Sequence, residues 1–101
     1  MVKLVALYRT PAEPPDLEHH LASNHIPLLR EYPGLRKIEI TRITQAPIGE
    51  SSFSVMAEMY FDDRDAMDRA LSSPQGKAVA RDLMAFAPDL VTLFHGEVTL
   101  P

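Results

Sequence analysis

Three segments of this chain alternate residue by residue, and in none of them is either alternating set polar. Val2–Arg9 sets Val2, Leu4, Ala6 and Tyr8 against Val5 and Leu7; Phe53–Phe61 sets Val55, Ala57, Met59 and Phe61 against Met56 and Tyr60. Residues 90–100 set Leu90, Phe94 and Val98 against Val91 and Leu93. Alternation of this kind marks strands, whose successive side chains point to opposite faces. Helices on one face would leave the other in water, where each large apolar side chain forfeits ~1.5–3 kcal/mol of burial and an oily patch invites association. The economical arrangement is a homodimer in which a second, identical sheet covers the open face. A small-molecule pocket would survive where polar residues interrupt that contact. The alternative is a set of edge strands with ordinary apolar surface.

The rest of the chain supplies the helices. Pro11, Pro14 and Pro15 break the first strand, and Asp16 offers an N-cap. Leu17, Leu21, His25, Leu28 and Tyr32 then recur at helical spacing, with Pro27 inside the pattern, where a missing backbone donor predicts a bend just before it. Tyr32-Pro33-Gly34 ends the helix. Residues 35–44 read as a half-buried strand, with Leu35, Lys37, Glu39 and Thr41 on one side and Ile38 and Ile40 on the other. After turn residues at 45–52 and the third strand, Asp62 or Asp63 caps a short helix carrying Ala66, Met67, Ala70 and Leu71. Ser73-Pro74 restarts helical structure with Val79, Leu83 and Phe86 facing inward, and residues 87–89 lead to the last strand. The order strand, helix, strand, strand, helix, strand is the split βαβ pattern: a ferredoxin-like α+β domain over residues 1–101, with a four-stranded antiparallel sheet and helices on one face.

Composition narrows the function. A net charge of −4 with no concentration of Lys or Arg argues against nucleic acid or an anionic membrane as partner. Without cysteine there is no disulfide, thiolate metal site, iron–sulfur cluster or cysteine nucleophile. No apolar run approaches the ~20 residues of a membrane span, and the first seven residues read as a strand rather than a signal peptide, so a cytoplasmic location is expected. No phosphate loop, nucleophile elbow or dinucleotide fingerprint is present, and no cofactor is expected.

Five positions could carry chemistry. His25 falls on the apolar helix face beside Pro27, where an imidazole serves as acid or base near neutral pH, or else as a core histidine satisfied by a carbonyl that the proline frees. Tyr8 and Tyr60 could aim phenols into a shared cavity, or pack with a wet tip. Glu58, beside Met56 and Tyr60 in mid-strand, needs a partner such as Lys37 or Arg36. Alternation puts His95 on the same side as Val91 and Leu93, facing either pocket or interface. His19, His20 and His25 suggest a metal, but five residues separate His20 from His25, not the three or four that align two ligands on an α-helix, so no metal is expected.

The segments Lys3-Leu4-Val5-Ala6-Leu7-Tyr8-Arg9, Asn24-His25-Ile26-Pro27-Leu28-Leu29-Arg30 and Pro33-Gly34-Leu35 together resemble the EthD-like family of the dimeric α/β-barrel superfamily. Ala57-Glu58-Met59-Tyr60-Phe61 and Ser72-Ser73-Pro74-Gln75-Gly76 fit its later part, so the resemblance spans nearly the whole chain. It implies a two-sheet barrel across a dimer axis, a pocket between helix and sheet in each protomer, and an acid/base role for His25 in the His-x-Pro-Leu segment. Relatives include isomerases, cyclases, decarboxylases and monooxygenases acting on small aromatic or lactone compounds, mostly without metals. On that analogy, Tyr8 and Tyr60 would hold an oxygen of the substrate, while Glu58, Leu28, Met56 and His95 would bind it. A non-catalytic metabolite-binding accessory protein and a haem-handling monooxygenase, with His25 or His95 as axial ligand, are the competing readings.

Overall fold

The computed structural model describes residues 1–11, 14–49 and 52–100. β1 (Val2–Arg9) lies between β3 (Phe53–Phe61) and β4 (Val91–Glu97), and β2 (Lys37–Arg42) flanks β3, giving the order β2-β3-β1-β4. Every neighbouring pair is antiparallel. β1 and β2 therefore run parallel with β3 between them, which is the split βαβ arrangement of a ferredoxin-like α+β fold. The helical layer comprises α1 (Pro14–His20), a π turn (Leu21–His25), α2 (Ile26–Leu29), α3 (Arg64–Ser72) and α4 (Pro74–Phe86).

Local chemistry fixes the helix ends. The Asp63 carboxylate accepts from the Ala66 N–H at 2.8 Å and starts α3. Ser73 serves two helices, since its hydroxyl donates to the Ala70 carbonyl at 2.6 Å and accepts from the Gly76 N–H at 3.0 Å. Asp16 is not a cap: α1 begins at Pro14, and Asp16 sits in its first turn, where a negative charge suits the positive end of the helix. Gly34, at φ +77°, supplies the left-handed turn before β2.

Strand register decides which residues share a face. Leu4 lies opposite Met59 and His95, Ala6 opposite Ala57 and Leu93, and Tyr8 opposite Val55 and Val91. This face is covered by the helices, and Leu4, Ala6, Tyr8, Val55, Ala57, Met59 and Phe61 form the core with Leu17, Leu21, Leu29, Met67, Val79 and Leu83. On the other face, Lys3 lies opposite Tyr60, Val5 opposite Glu58 and Phe94, and Leu7 opposite Met56 and Thr92. None of the described residues covers it: the molecule is a slab only 18 Å thick against 35 and 32 Å across. Val5, Leu7 and Met56 are half-buried among their neighbours, and Phe94 is 47% exposed. The expectation of two apolar faces therefore holds for the β1–β4 half of this surface. Lys37, Glu39, Glu58 and Tyr60 of β2 and β3, with Lys3 at the end of β1, make the rest polar. Among the described residues no helix is long and apolar enough to cross a membrane.

Candidate functional site

The π turn creates the site. Along an α-helix, residues five apart are separated by about 140°, which is the geometry that sets His20 and His25 apart in the sequence. Here the helix widens just before Pro27, and the Ile26 N–H reaches back five residues to the Leu21 carbonyl. Pro27 explains the departure, because it can neither donate to the preceding turn nor accommodate that turn's carbonyl against its ring. The predicted bend is thus taken up as a wider turn, which brings His20 and His25 to one carboxylate. Asp82 of α4 accepts from His25 Nδ1 at 2.8 Å and from His20 Nε2 at 3.0 Å. Phe86, one turn further along α4, closes the group: its ring lies 4.1 Å from that of His20 and 5.1 Å, edge to face, from that of His25.

The electrostatics follow from burial. His25 is 1% exposed; burial lowers its pKa below the usual histidine value, and the hydrogen bond and charge of Asp82 offset this only in part. Burial works against ionisation of Asp82 as well, but the hydrogen bonds from His25 and His20 outweigh it, and its pKa lies below the ordinary aspartate value. An ionised Asp82 accepts the Nδ1 proton of a neutral His25. Nε2 is then the lone-pair nitrogen, and no protein group among the described residues occupies it.

His25 lines a cavity of about 320 Å³ between the sheet and the helices, at the lower end of the ~300–1,000 Å³ typical of small-molecule sites. Its walls are mostly aliphatic, from Leu4, Leu29, Met59, Val79 and Leu83, with Tyr8, Tyr32 and His25 as the polar groups inside. Leu93, 48% exposed, and His95 stand on edge strand β4 at its mouth. Burial pushes the Tyr8 phenol well above its usual pKa, reinforced by nearby Tyr32 and Asp82, and pushes Tyr32 up to about 12. Both phenols are protonated donors at neutral pH. Neither has a hydrogen-bond partner among the described residues, and neither is sealed off, since the one walled-in and unpaired side-chain atom there is Ser54 Oγ.

The proposed residues do not all meet. His25, Tyr8 and His95 share the cavity, and His95 faces it rather than the open face of the sheet. Tyr60, Glu58 and Met56 lie on the opposite side of the sheet, so the cavity expected to join Tyr8 with Tyr60 is not formed. Tyr60 is engaged there: its hydroxyl donates to Glu39 at 2.9 Å, and Lys3 and Lys37 stand 5.4 and 5.3 Å from its ring. Glu58 pairs with Lys3 of β1 at 2.5 Å, not with Lys37 or Arg36, which pair with Glu39 and Asp62. Leu28 is half-buried against the core and does not line the cavity. The pocket lies under the helices, between them and the sheet face they cover, and not on the open face where a partner was expected to frame it. Asp82 and Tyr32 escaped the sequence reading. Asp82 falls between Val79 and Phe86 on the inward stripe of α4, and a carboxylate on an apolar stripe is the signal that could have exposed it. Among the described residues no group of three or more His, Asp or Glu side chains could hold a metal ion.

Fold and site together define a ferredoxin-like α+β protein with an apolar helix–sheet cavity and a carboxylate-backed histidine. The chain belongs to the EthD domain family, whose pattern matches residues 9–89. It is similar to an ethyl tert-butyl ether D (EthD) family protein from Bacillus halodurans C-125, with 44% identity, a TM-score of 0.93 and coverage of 98% of this chain and 99% of that one. A protein of 11.0 kDa from the thcB–thcC intergenic region of Rhodococcus erythropolis is 29% identical over 101 residues, 99% of this chain and 98% of its own. SnoaB, a cofactor-independent oxygenase from Streptomyces nogalater, shares the fold at 22% identity with a TM-score of 0.69, over 99% of this chain and 94% of its own.

Proposed function

We propose that this protein is a homodimer whose helix–sheet cavity binds a small, largely apolar aromatic or lactone-like compound and moves a proton on it, in isomerase, cyclase or decarboxylase fashion, without a cofactor. The observation that carries this reading is the His25–Asp82 contact at 2.8 Å behind an apolar cavity. Asp82 holds the ring in one tautomer and favours the imidazolium that forms when Nε2 takes a proton. Tyr8 donates to the oxygen on which charge develops. A positioned acid/base of this type contributes roughly 10²–10⁴-fold in rate. The fold serves in SnoaB as a cofactor-independent oxygenase, which supports looking to side chains for the chemistry. Face-to-face pairing of two sheets would cover Val5, Leu7, Met56 and Phe94, the apolar patch that the thin slab leaves open.

A thermal-shift screen of lactones, quinones and aromatic ketones, with product analysis after every hit, tests the proposal. Conversion by the wild type and its loss in His25→Gln support it. Binding without conversion would replace it with a metabolite-holding accessory role, and full activity of the variant would reject it.

A further inference from the structure

The charge pattern around the cavity restricts what it can hold. None of the described residues lining it is Lys, Arg, Asp or Glu. The titratable groups that face it are His25, Tyr8 and Tyr32 inside and His95 at the mouth, and the fixed charge that acts on both His25 and Tyr8 is the Asp82 carboxylate behind His25. A carboxylate ligand would leave water for a wall with no counter-charge and with a like charge behind it, the costliest form of burial. A cation gains little, because the Asp82 oxygens are already taken by His20 and His25. A pure hydrocarbon fits the aliphatic walls but leaves two buried phenols without acceptors, Tyr8 at 1% and Tyr32 at 5% exposure. Two unpaired O–H donors and one unpaired ring nitrogen lining a single cavity ask for a ligand with an acceptor oxygen.

We propose that the cavity selects an uncharged carbonyl compound, its carbonyl oxygen accepting from the hydroxyls of Tyr8 and Tyr32 and the adjoining carbon facing His25 Nε2. This rests on the reading of the cavity as a small-molecule site and names its ligand class. The step it permits balances within the site. Nε2 takes a proton from the carbon beside the carbonyl, the C–H electron pair becomes the carbon–carbon double bond of an enolate, and the carbonyl π pair moves to the oxygen held by the two phenols. Return of the proton to that carbon or to a conjugated one restores the histidine, with no oxidant or reductant consumed.

Calorimetry on the full chain with three probes of similar shape tests the assignment: 2-tetralone, tetralin and 2-naphthoate. The ketone is expected to bind about tenfold more tightly than the hydrocarbon, and the carboxylate not at all. The double variant Tyr8→Phe/Tyr32→Phe is expected to bind ketone and hydrocarbon equally. Its removal of unpaired hydroxyls leaves the packing in place, which its melting temperature checks. Independently of that variant, the C=O stretch of bound 2-tetralone is expected at lower frequency than in hexane. Naphthoate binding as tightly as the ketone, a ketone that fails to bind at millimolar concentration, an unshifted stretch, or a ketone preference that survives in the double variant would each overturn the assignment. Deuterium uptake beside the carbonyl in D₂O separates the two claims. Ketone binding without uptake removes the proposed catalysis and leaves the ligand class standing.

Discussion

His25 reaches Asp82 at 2.8 Å across 57 positions of sequence, and the contact ties the wide turn before Pro27 to the middle of α4. A buried imidazole and a carboxylate that is itself mostly enclosed hold each other in a single geometry, with 2% and 18% of their side-chain surfaces exposed. Neither would be tolerated alone on the apolar faces they occupy.

Replacing Asp82 by Asn removes the charge and keeps the shape. The amide can donate as well as accept, so it no longer specifies which nitrogen of His25 carries the proton. A charge-assisted hydrogen bond contributes about 1.5–3 kcal/mol, and the variant is expected to lose stability of that order in urea denaturation. Nitrogen-15 NMR should find His25 in mixed tautomers instead of one, and any turnover should fall by roughly 10²-fold or more.

Acid should loosen the fold before it reaches the range of carboxylates. The folded-state pKa of His25 is lowered by burial, so below about pH 6.5, where an unfolded histidine gains its proton, the unfolded chain binds more protons than the folded one. That contribution to stability is complete above about pH 6.5 and is lost as pH falls from there through the lower folded value. Asp82 has the depressed pKa of a paired carboxylate, and its contribution is lost only as pH falls further, through its own folded value. Urea midpoints should decline from pH 7.5 to pH 5 in the wild type and run flatter over that window in His25→Gln. A wild-type midpoint that does not move would contradict the linkage.

The open face offers a direct test of assembly. Phe94→Asp places a charge in the apolar patch formed with Val5 and Leu7, on the side of the sheet away from the cavity. Sedimentation of the wild type is expected to give a dimer, and that of the variant a monomer with unchanged circular dichroism.

At Gly76 the backbone itself leaves no room. A Cβ there would come 2.3 Å from the Ala70 carbonyl oxygen and 2.6 Å from that of Leu71, where α3 hands over to α4. Alanine improves helix propensity by about 1 kcal/mol, but overpacking against main chain costs about 1–3 kcal/mol, so Gly76→Ala should be destabilising in a denaturant titration.

Much of this could be read from the chain. Alternation located β1 and β3 at their observed bounds, and Ser73-Pro74 announced the junction of the last two helices because a hydroxyl and a ring with no N–H suit a helix start. Alternation also divides each strand into two faces, but it cannot say which face of one strand joins which face of the next. That depends on register, and the pairing of Lys3 with Tyr60 and of Tyr8 with Val55 puts the two tyrosines on opposite sides. The same limit hid the partner of Glu58, which is a diagonal neighbour on β1. The His20–Asp82–His25 group was hidden for a different reason: an α-helical wheel separates two of its members, and the proline that alters the winding does not announce by how much.

A π turn is in effect an α-helix carrying one surplus residue, so the imidazole owes its place to a count of peptide units. Wound as a plain α-helix, the same residues would leave the His-x-Pro-Leu segment intact yet set the ring about 140° around the helix axis from His20, off the carboxylate the two now share. Two chains of this shape with the same four letters could thus differ in whether a base faces the cavity. The winding of the turn before the proline, more than the histidine itself, is what to compare between them.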